Sequence, residues 1–398
     1  MVLREGWSIV SIAVAGERGR FIVGTVVVWL LYVFTIEVVA HLAARDSAQQ
    51  LNGNSSFFLH GFIDNIEGAP PLARWDSIWF YGIAREGYTG HGPKSPYTPA
   101  FLPLYPALMR LFSDWFGLDE FRAGVWVSRL ALLAALLLLP RSLPSGDDPA
   151  RTSCAAQFAL LAFPSAFILV SAYTESLFLA LTLATLILAR NDRPLAACLA
   201  GFLTALTRLH GLALVPALAV LAYEKWRTGR RSPWVAMPVL GPVTAYGALA
   251  AYFWHMSGDP LRYLSAKQEF WHTRLAWPWT TIDHAISQVE SAYARGDLGA
   301  ILTCLELPCL YLILYVCVIV GHRRRWPELV YVSGCAALSL FSGSLWGLPR
   351  FTLVMFPVFI IIAELRRWPR WWNLYLVIGA LLQACLLINY VNFRPPAP

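Results

Sequence analysis

Long apolar runs separated by short polar or basic stretches set the pattern of this chain. They fall at 21–42, 124–140, 153–171, 175–190, 194–223, 233–256, 298–320, 328–345, 351–364 and 373–391. A membrane-spanning helix needs about 20 mostly apolar residues. The pattern therefore predicts an all-α polytopic membrane protein. The run 194–223 is too long for one upright helix and short for two, and Thr207-Arg208-Leu209-His210-Gly211 interrupts it. Two short helices turning near the outer leaflet are expected there, which makes about 11 crossings. No small-residue cleavage site follows the first run, so it is expected to be a retained transmembrane helix. Two long stretches, 43–123 and 257–297, are predicted to be large extracytoplasmic loops. Both hold short amphipathic-looking pieces. At 76–85 aromatics and charges alternate at helical spacing, which predicts a helix in the interface plane. No tandem repeat divides the chain, and 1–398 reads as one membrane domain.

Composition agrees with this. Hydrophobic residues make up 57% of the 398 and charged residues only 14%, against about 25% charged in soluble domains. Mean hydropathy is +0.54. A soluble multidomain enzyme, a disordered chain and a nucleic-acid binder are excluded. The 17 tryptophans suit many membrane–water interfaces. The net charge is +7, and its basic residues cluster at Lys225/Arg227/Arg230/Arg231, Arg323/Arg324/Arg325 and Arg366/Arg367/Arg370. Short loops rich in Lys and Arg stay in the cytoplasm, so a cytoplasmic N-terminus is expected. All seven cysteines lie in apolar runs without CxxC spacing. They read as small buried hydrophobes, with no disulfide framework or metal site.

Ionisable residues in or beside apolar runs are costly and are the first candidates for function. In Arg74-Trp75-Asp76-Ser77 a carboxylate stands at the expected mouth of a membrane cavity, where it can act as a general base. The plainer alternative is an Arg74–Asp76 or Asp76–Arg85 surface pair. Pro99-Ala100-Phe101-Leu102-Pro103-Leu104-Tyr105-Pro106 reads as a rigid turn that returns the loop to the membrane. Glu175, after Ser171-Ala172-Tyr173-Thr174, either caps the next helix or lines a polar cavity. Arg208 needs an anion, either a lipid phosphate, which guanidinium geometry matches, or an internal partner such as Glu175. Arg350, in Trp346-Gly347-Leu348-Pro349-Arg350-Phe351, suits a phosphate or a loop carboxylate. Lys267, Gln268, Glu269, Trp271, His272 and Arg274 alternate polar groups with aromatics in the second outer loop. His210 and Lys267 are placed beside the expected phosphate. Asp64 and Asp76 stand too far apart in the first loop to suggest a metal site, and the chain holds no P-loop, HExxH or GxGxxG pattern. These signals together suggest chemistry on a lipid-linked phosphate at the extracytoplasmic face.

The same residues resemble a known family. Arg74-Trp75-Asp76-Ser77 with Trp79 and Tyr81, Ile83-Ala84, Gly87-Tyr88 and Phe101-Leu102-Pro103-Leu104-Tyr105-Pro106 are similar to the first-loop signature of PIG-V mannosyltransferases. Phe163-Pro164-Ser165-Ala166, Tyr173-Thr174-Glu175-Ser176-Leu177-Phe178, Thr207-Arg208 with Gly211, Gly258-Asp259-Pro260 and Leu348-Pro349-Arg350-Phe351 follow in the family's order. The resemblance implies a GT-C-like bundle and a polyprenyl-phosphate-mannose donor, with no metal or other cofactor. Eukaryotic members add the second mannose of the GPI core in an α-1,6 linkage. By the resemblance, Asp76 is the general base. Arg208 and Arg350 hold the donor phosphate, and Glu175 lines the cavity. Arg74, Trp75, His210, Lys267 and Gln268 complete the expected substrate-binding set. The compact chain, its Pro-rich outer loops and the lack of an endoplasmic-reticulum retention signal imply a bacterial plasma-membrane homologue. Its acceptor would be a glycan, glycolipid or protein rather than a GPI precursor. An accessory subunit is compatible with the resemblance. The competing classes are a transporter or flippase of lipid-linked sugars, which should show internal pseudo-symmetry, and an inactive structural subunit.

Overall fold

A computed structural model describes residues 3–44, 69–89, 95–142, 149–271, 273–296 and 304–393. The described residues form helices and no strands. In order these are α1 (Leu3–Ala43), α2 (Ser77–Glu86), α3 (Leu104–Phe116), α4 (Glu120–Leu138), α5 (Pro149–Leu161), α6 (Glu175–Arg190), α7 (Pro194–Ala205) and α8 (Leu214–Arg227). They continue as α9 (Met237–Ser257), α10 (Arg262–Trp271), α11 (Pro278–Ala294), α12 (Glu306–His322), α13 (Trp326–Leu340), α14 (Leu348–Thr352), α15 (Phe356–Ile362) and α16 (Pro369–Val391). Among the described residues, four helical stretches are long and apolar enough to cross a membrane: Gly19–Ala43, Glu120–Ser142, Pro233–Ser257 and Pro369–Val391. The fold is that of a helical, membrane-embedded protein. Large apolar side chains on α1, α12 and α16, among them Leu31, Phe34, Val318 and Leu381, are exposed, as lipid-facing positions should be.

Several other apolar runs are broken. The run 194–223 divides as expected, with α7 ending at Ala205 and α8 starting at Leu214. The runs 153–171 and 351–364 read as continuous from hydropathy, and neither is. Helix α5 stops at Leu161, and Ala166–Val170 forms a separate 3-10 turn after Pro164. The second run divides into α14 and α15 around the buried segment Leu353, Val354 and Met355. Irregular backbone at membrane depth survives only where protein buries it and satisfies its polar groups. The side chains here do that. Gln383 Nε2 donates to the carbonyls of Leu161 (3.1 Å) and Phe163 (2.8 Å). Ser176 Oγ donates to Leu169 O at 2.5 Å, and Tyr331 Oη to Val354 O at 2.9 Å. Hydropathy counts apolar atoms and cannot register such partners.

The expected interfacial helix at 76–85 is a correction. Helix α2 is buried from Ser77 to Ala84 on every side. Trp79 stacks on Phe101 at 5.5 Å and Tyr81 on Phe121 at 4.2 Å, so the helix plugs one end of the bundle instead of resting on a surface. The polar Ser77 has its partner inside, where its Oγ donates to Ala172 O at 3.0 Å, while Arg85 at the helix end stays exposed. Helix α11 does keep one buried side (Thr281, Ala285, Ala292) and an exposed remainder. The proline-rich 99–106 segment joins a 3-10 turn, Ser95–Ala100, to the start of α3. Leu104 N–H donates to Leu206 O at 3.0 Å, which ties the start of α3 to the break after α7.

Helices α7 and α9 cross where Gly241 presses on the Cys198 carbonyl. A Cβ at Gly241 would collide with that backbone, whereas one at Gly247, on the same helix, would meet nothing. Small residues permit such close approach between membrane helices. Gly241→Ala is expected to destabilise the protein by about 1–3 kcal/mol through overpacking. Gly247→Ala should match or slightly exceed the parent, since alanine in a helix interior gains about 0.5–1 kcal/mol over glycine. Thermal unfolding of both variants in detergent checks the pair, and equal midpoints would refute the tight crossing.

Candidate functional site

Four chain segments meet at the end of the bundle that α2 plugs. The first is the turn 69–76. Ala73 N–H donates to Pro70 O at 2.9 Å, and Trp75 then takes a left-handed backbone with φ 56°. Such a state at a bulky residue costs about 1–3 kcal/mol and persists only where the surroundings over-determine it. Asp76 follows at the N-cap of α2, but its carboxylate makes no capping bond. It reaches Arg350 instead, whose Nη1 donates to Asp76 Oδ2 at 2.7 Å.

Arg350 is placed by a second break. Gly347, at φ 82°, starts α14, and Pro349 occupies the first turn where no N–H is needed. Ser165 Oγ donates to Pro349 O at 2.8 Å, which fastens α14 to the turn after α5. Glu175 opens α6, where the helix dipole favours a carboxylate. Its Oε1 lies 3.2 Å from Arg350 Nε and 2.5 Å from Arg208 Nη1. Arg208 is extended (φ −153°, ψ 150°) between α7 and the next turn, and Nη1 also donates to Thr174 Oγ1 at 2.8 Å. The result is one alternating row, Asp76–Arg350–Glu175–Arg208. The Phe351 ring backs both guanidiniums at 5.1 and 5.2 Å, and the Tyr173 ring lies 5.2 Å from Arg350.

Exposure is graded along the row. Glu175 is fully buried, Arg208 and Arg350 keep 11% and 13% of their side-chain surface, and Asp76 keeps 27%. Asp76 is thus the reachable end of the row. A carboxylate so placed can accept a proton. The two guanidiniums have N–H groups beyond those spent on carboxylates and can hold an anion.

The other sequence-selected residues divide. His210 is buried 4.9 Å from the Phe351 ring, and its Nε2 makes no hydrogen bond. The charges of Arg208, Lys267 and Arg350 all act on it, so Lys267 belongs to this neighbourhood. Lys267 also lies over the Tyr263 ring at 5.2 Å. Gln268 is exposed on α10, and Glu269 pairs with Arg262 at 2.7 Å. Asp64 and His272 lie outside the described residues. Arg74 turns away from the row: its Nη1 donates to the carbonyls of Ala69 (3.3 Å), Pro70 (2.8 Å) and Ala73 (3.1 Å). Burial there pulls its guanidinium down to about 10. The Trp75 ring packs on Phe393 at 5.6 Å, and its Nε1 donates to Tyr390 O at 3.2 Å.

Neither plain pairing weighed for Asp76 forms. Arg74 spends Nη1 on carbonyls, and Arg85 donates to Tyr81 Oη at 2.5 Å. The internal partner weighed for Arg208, Glu175, is present. Sequence reasoning assigned no role to Tyr173, Thr174, Phe351 or Tyr390, which complete the walls. Tyrosines at the ends of apolar runs were the available signal. Among the described residues no group of three or more His, Cys, Asp or Glu is placed to hold a metal ion.

No protein-family model matches the chain, and no curated protein matches it.

A buried carboxylate between two guanidiniums should show strong coupling. Glu175→Gln or Arg208→Met alone is expected to destabilise the protein by about 3–5 kcal/mol, because each strands a buried charge. The double variant should lose clearly less than the sum, with a coupling of about 1–3 kcal/mol. A double-mutant cycle on unfolding in detergent reads this directly. Additive losses would mean that the two side chains do not act as a pair.

Proposed function

We propose that this chain is an integral-membrane glycosyltransferase of the GT-C type, related to the PIG-V mannosyltransferases. It would move mannose from polyprenyl-phosphate-mannose to an acceptor hydroxyl at the extracytoplasmic face. One observation carries the reading. The residues that bear the resemblance are spread along the chain, and four of their charged members, Asp76, Glu175, Arg208 and Arg350, from four separate segments, converge in the single row Asp76–Arg350–Glu175–Arg208. Asp76, the most accessible acid of the row, takes the proton from the acceptor hydroxyl as its oxygen attacks the anomeric carbon opposite the phosphate. A β-linked donor then gives an α-linked product by inversion in one step. The C1–O bond pair leaves with the phosphate, which goes from a singly charged diester to a doubly charged monoester, so Arg208 and Arg350 assist by stabilising that added charge, not by protonating it. The proposal includes about 11 crossings, a cytoplasmic N-terminus and a bacterial plasma membrane. The acceptor is a glycan, glycolipid or protein.

The test is release of polyprenyl phosphate from polyprenyl-phosphate-mannose by the purified full-length chain in nanodiscs, with candidate acceptors. Asp76→Asn should lower the rate about 10²–10⁴-fold, the range for a lost general base. Arg208→Ala should raise the donor KM much more than the acceptor KM. Full activity of Asp76→Asn would refute the assignment. Donor that crosses the membrane without being consumed would mark a flippase.

A further inference from the structure

We infer that Tyr173 and Tyr390 are positioning residues that clamp the Trp75–Asp76 turn and set the direction of the Asp76 carboxylate. The inference rests on the transferase reading for its catalytic consequence, but its geometric basis is independent. Both tyrosines are buried, and both hydroxyls are spent on backbone atoms of this one turn. Tyr390 Oη accepts from Arg74 N–H at 3.0 Å and lies 3.2 Å from the carbonyls of both Leu72 and Arg74. Tyr173 Oη accepts from Asp76 N–H at 3.2 Å and donates to Arg74 O at 3.3 Å. The two hydroxyls therefore bracket Trp75, the residue with the left-handed backbone. Its indole is held from the same side, through Tyr390 O and the Phe393 ring.

Each tyrosine is itself anchored elsewhere. Ser128 Oγ donates to Tyr173 O at 2.8 Å and shares a hydrogen bond with Tyr105 Oη at 2.8 Å. Tyr390 belongs to α16 and packs on Phe167 at 5.3 Å. Tyr173 also contacts both members of the reactive pair. Its hydroxyl takes the Asp76 amide, and its ring faces the Arg350 guanidinium. Arg74 closes the same turn from within by donating to three carbonyls, which recasts it from a substrate ligand to part of the clamp. Neither hydroxyl belongs to the charged row, so loss of either should spoil the aim of Asp76 and leave anion binding intact.

The experiment compares Tyr173→Phe and Tyr390→Phe with Tyr375→Phe in the full chain. Tyr375, also on α16, bonds the Ala159 carbonyl away from the site. Amide hydrogen exchange over residues 74–78 and transferase kinetics are read together. Each of the first two variants should exchange about tenfold faster in this segment, the loss of one buried hydrogen bond. Their kcat should fall about 10–100-fold, as a misplaced base requires, with the donor KM within about twofold. Tyr375→Phe should match the parent in both. Unchanged exchange in both variants overturns the clamp whatever the enzyme does. Faster exchange with unchanged kcat, while Asp76→Asn is inactive, overturns the positioning role. Full activity of Asp76→Asn overturns the transferase reading instead, so the two failures are distinguishable.

Discussion

Glu175 is a carboxylate with no exposed surface, and burying an ion without compensation is among the most costly events in folding. Its position is tolerable because two guanidiniums share Oε1 and the N-terminal end of α6 adds a favourable dipole. Meeting that demand fixes much else. Arg208 must sit at the break after α7, and Arg350 must sit at the start of α14. Once Arg350 is bound on one side by Glu175, its remaining side is turned to Asp76. The reachable acid is thus oriented by a buried one that solvent never meets.

The opposite end of α6 repeats the solution with the signs exchanged. Arg190, in its last turn, pairs at 2.5 Å with Glu328, which is also buried and shared with Arg325 at 2.5 Å. Helix α6 is therefore pinned at both ends by charges that match its dipole, acid first and base last. Such pairs add little net stability against an apolar alternative, but the loss of one member is severe. Their consequence is register: the breaks at 162–174, 206–213 and 353–355 are held level with one another. The site exists because broken helices end together.

The class of fold was legible from apolar runs and scarce charge alone. The break at 207–211 was legible too, because charged residues interrupt an overlong run. The breaks after α5 and around Leu353 were not, since Pro164 and Met355 stand in stretches as apolar as any helix and their polar partners come from remote positions such as Gln383 and Tyr331. Asp76, Glu175, Arg208 and Arg350 stood out as charges beside apolar runs, which is why all four were selected. Their pairing was not readable, because Asp76 and Arg350 are separated by most of the chain. Arg74 was not readable for a different reason, since its partners are backbone carbonyls close by in the chain, which side-chain patterns do not show. An arginine beside a tryptophan and an aspartate looks like part of a binding site until three nearby carbonyls are seen to hold it. Tyr390 gave only a weak signal, since a tyrosine at the end of an apolar run is expected at an interface in any case.

The most direct test of the account is an experimental density map of the full chain in nanodiscs with bound polyprenyl phosphate. The account predicts phosphate oxygens at about 2.7–2.9 Å from guanidinium nitrogens of both Arg208 and Arg350, with Asp76 still paired to Arg350 and open to the aqueous side. A phosphate bound elsewhere, with both arginines closed on their carboxylates, would contradict it.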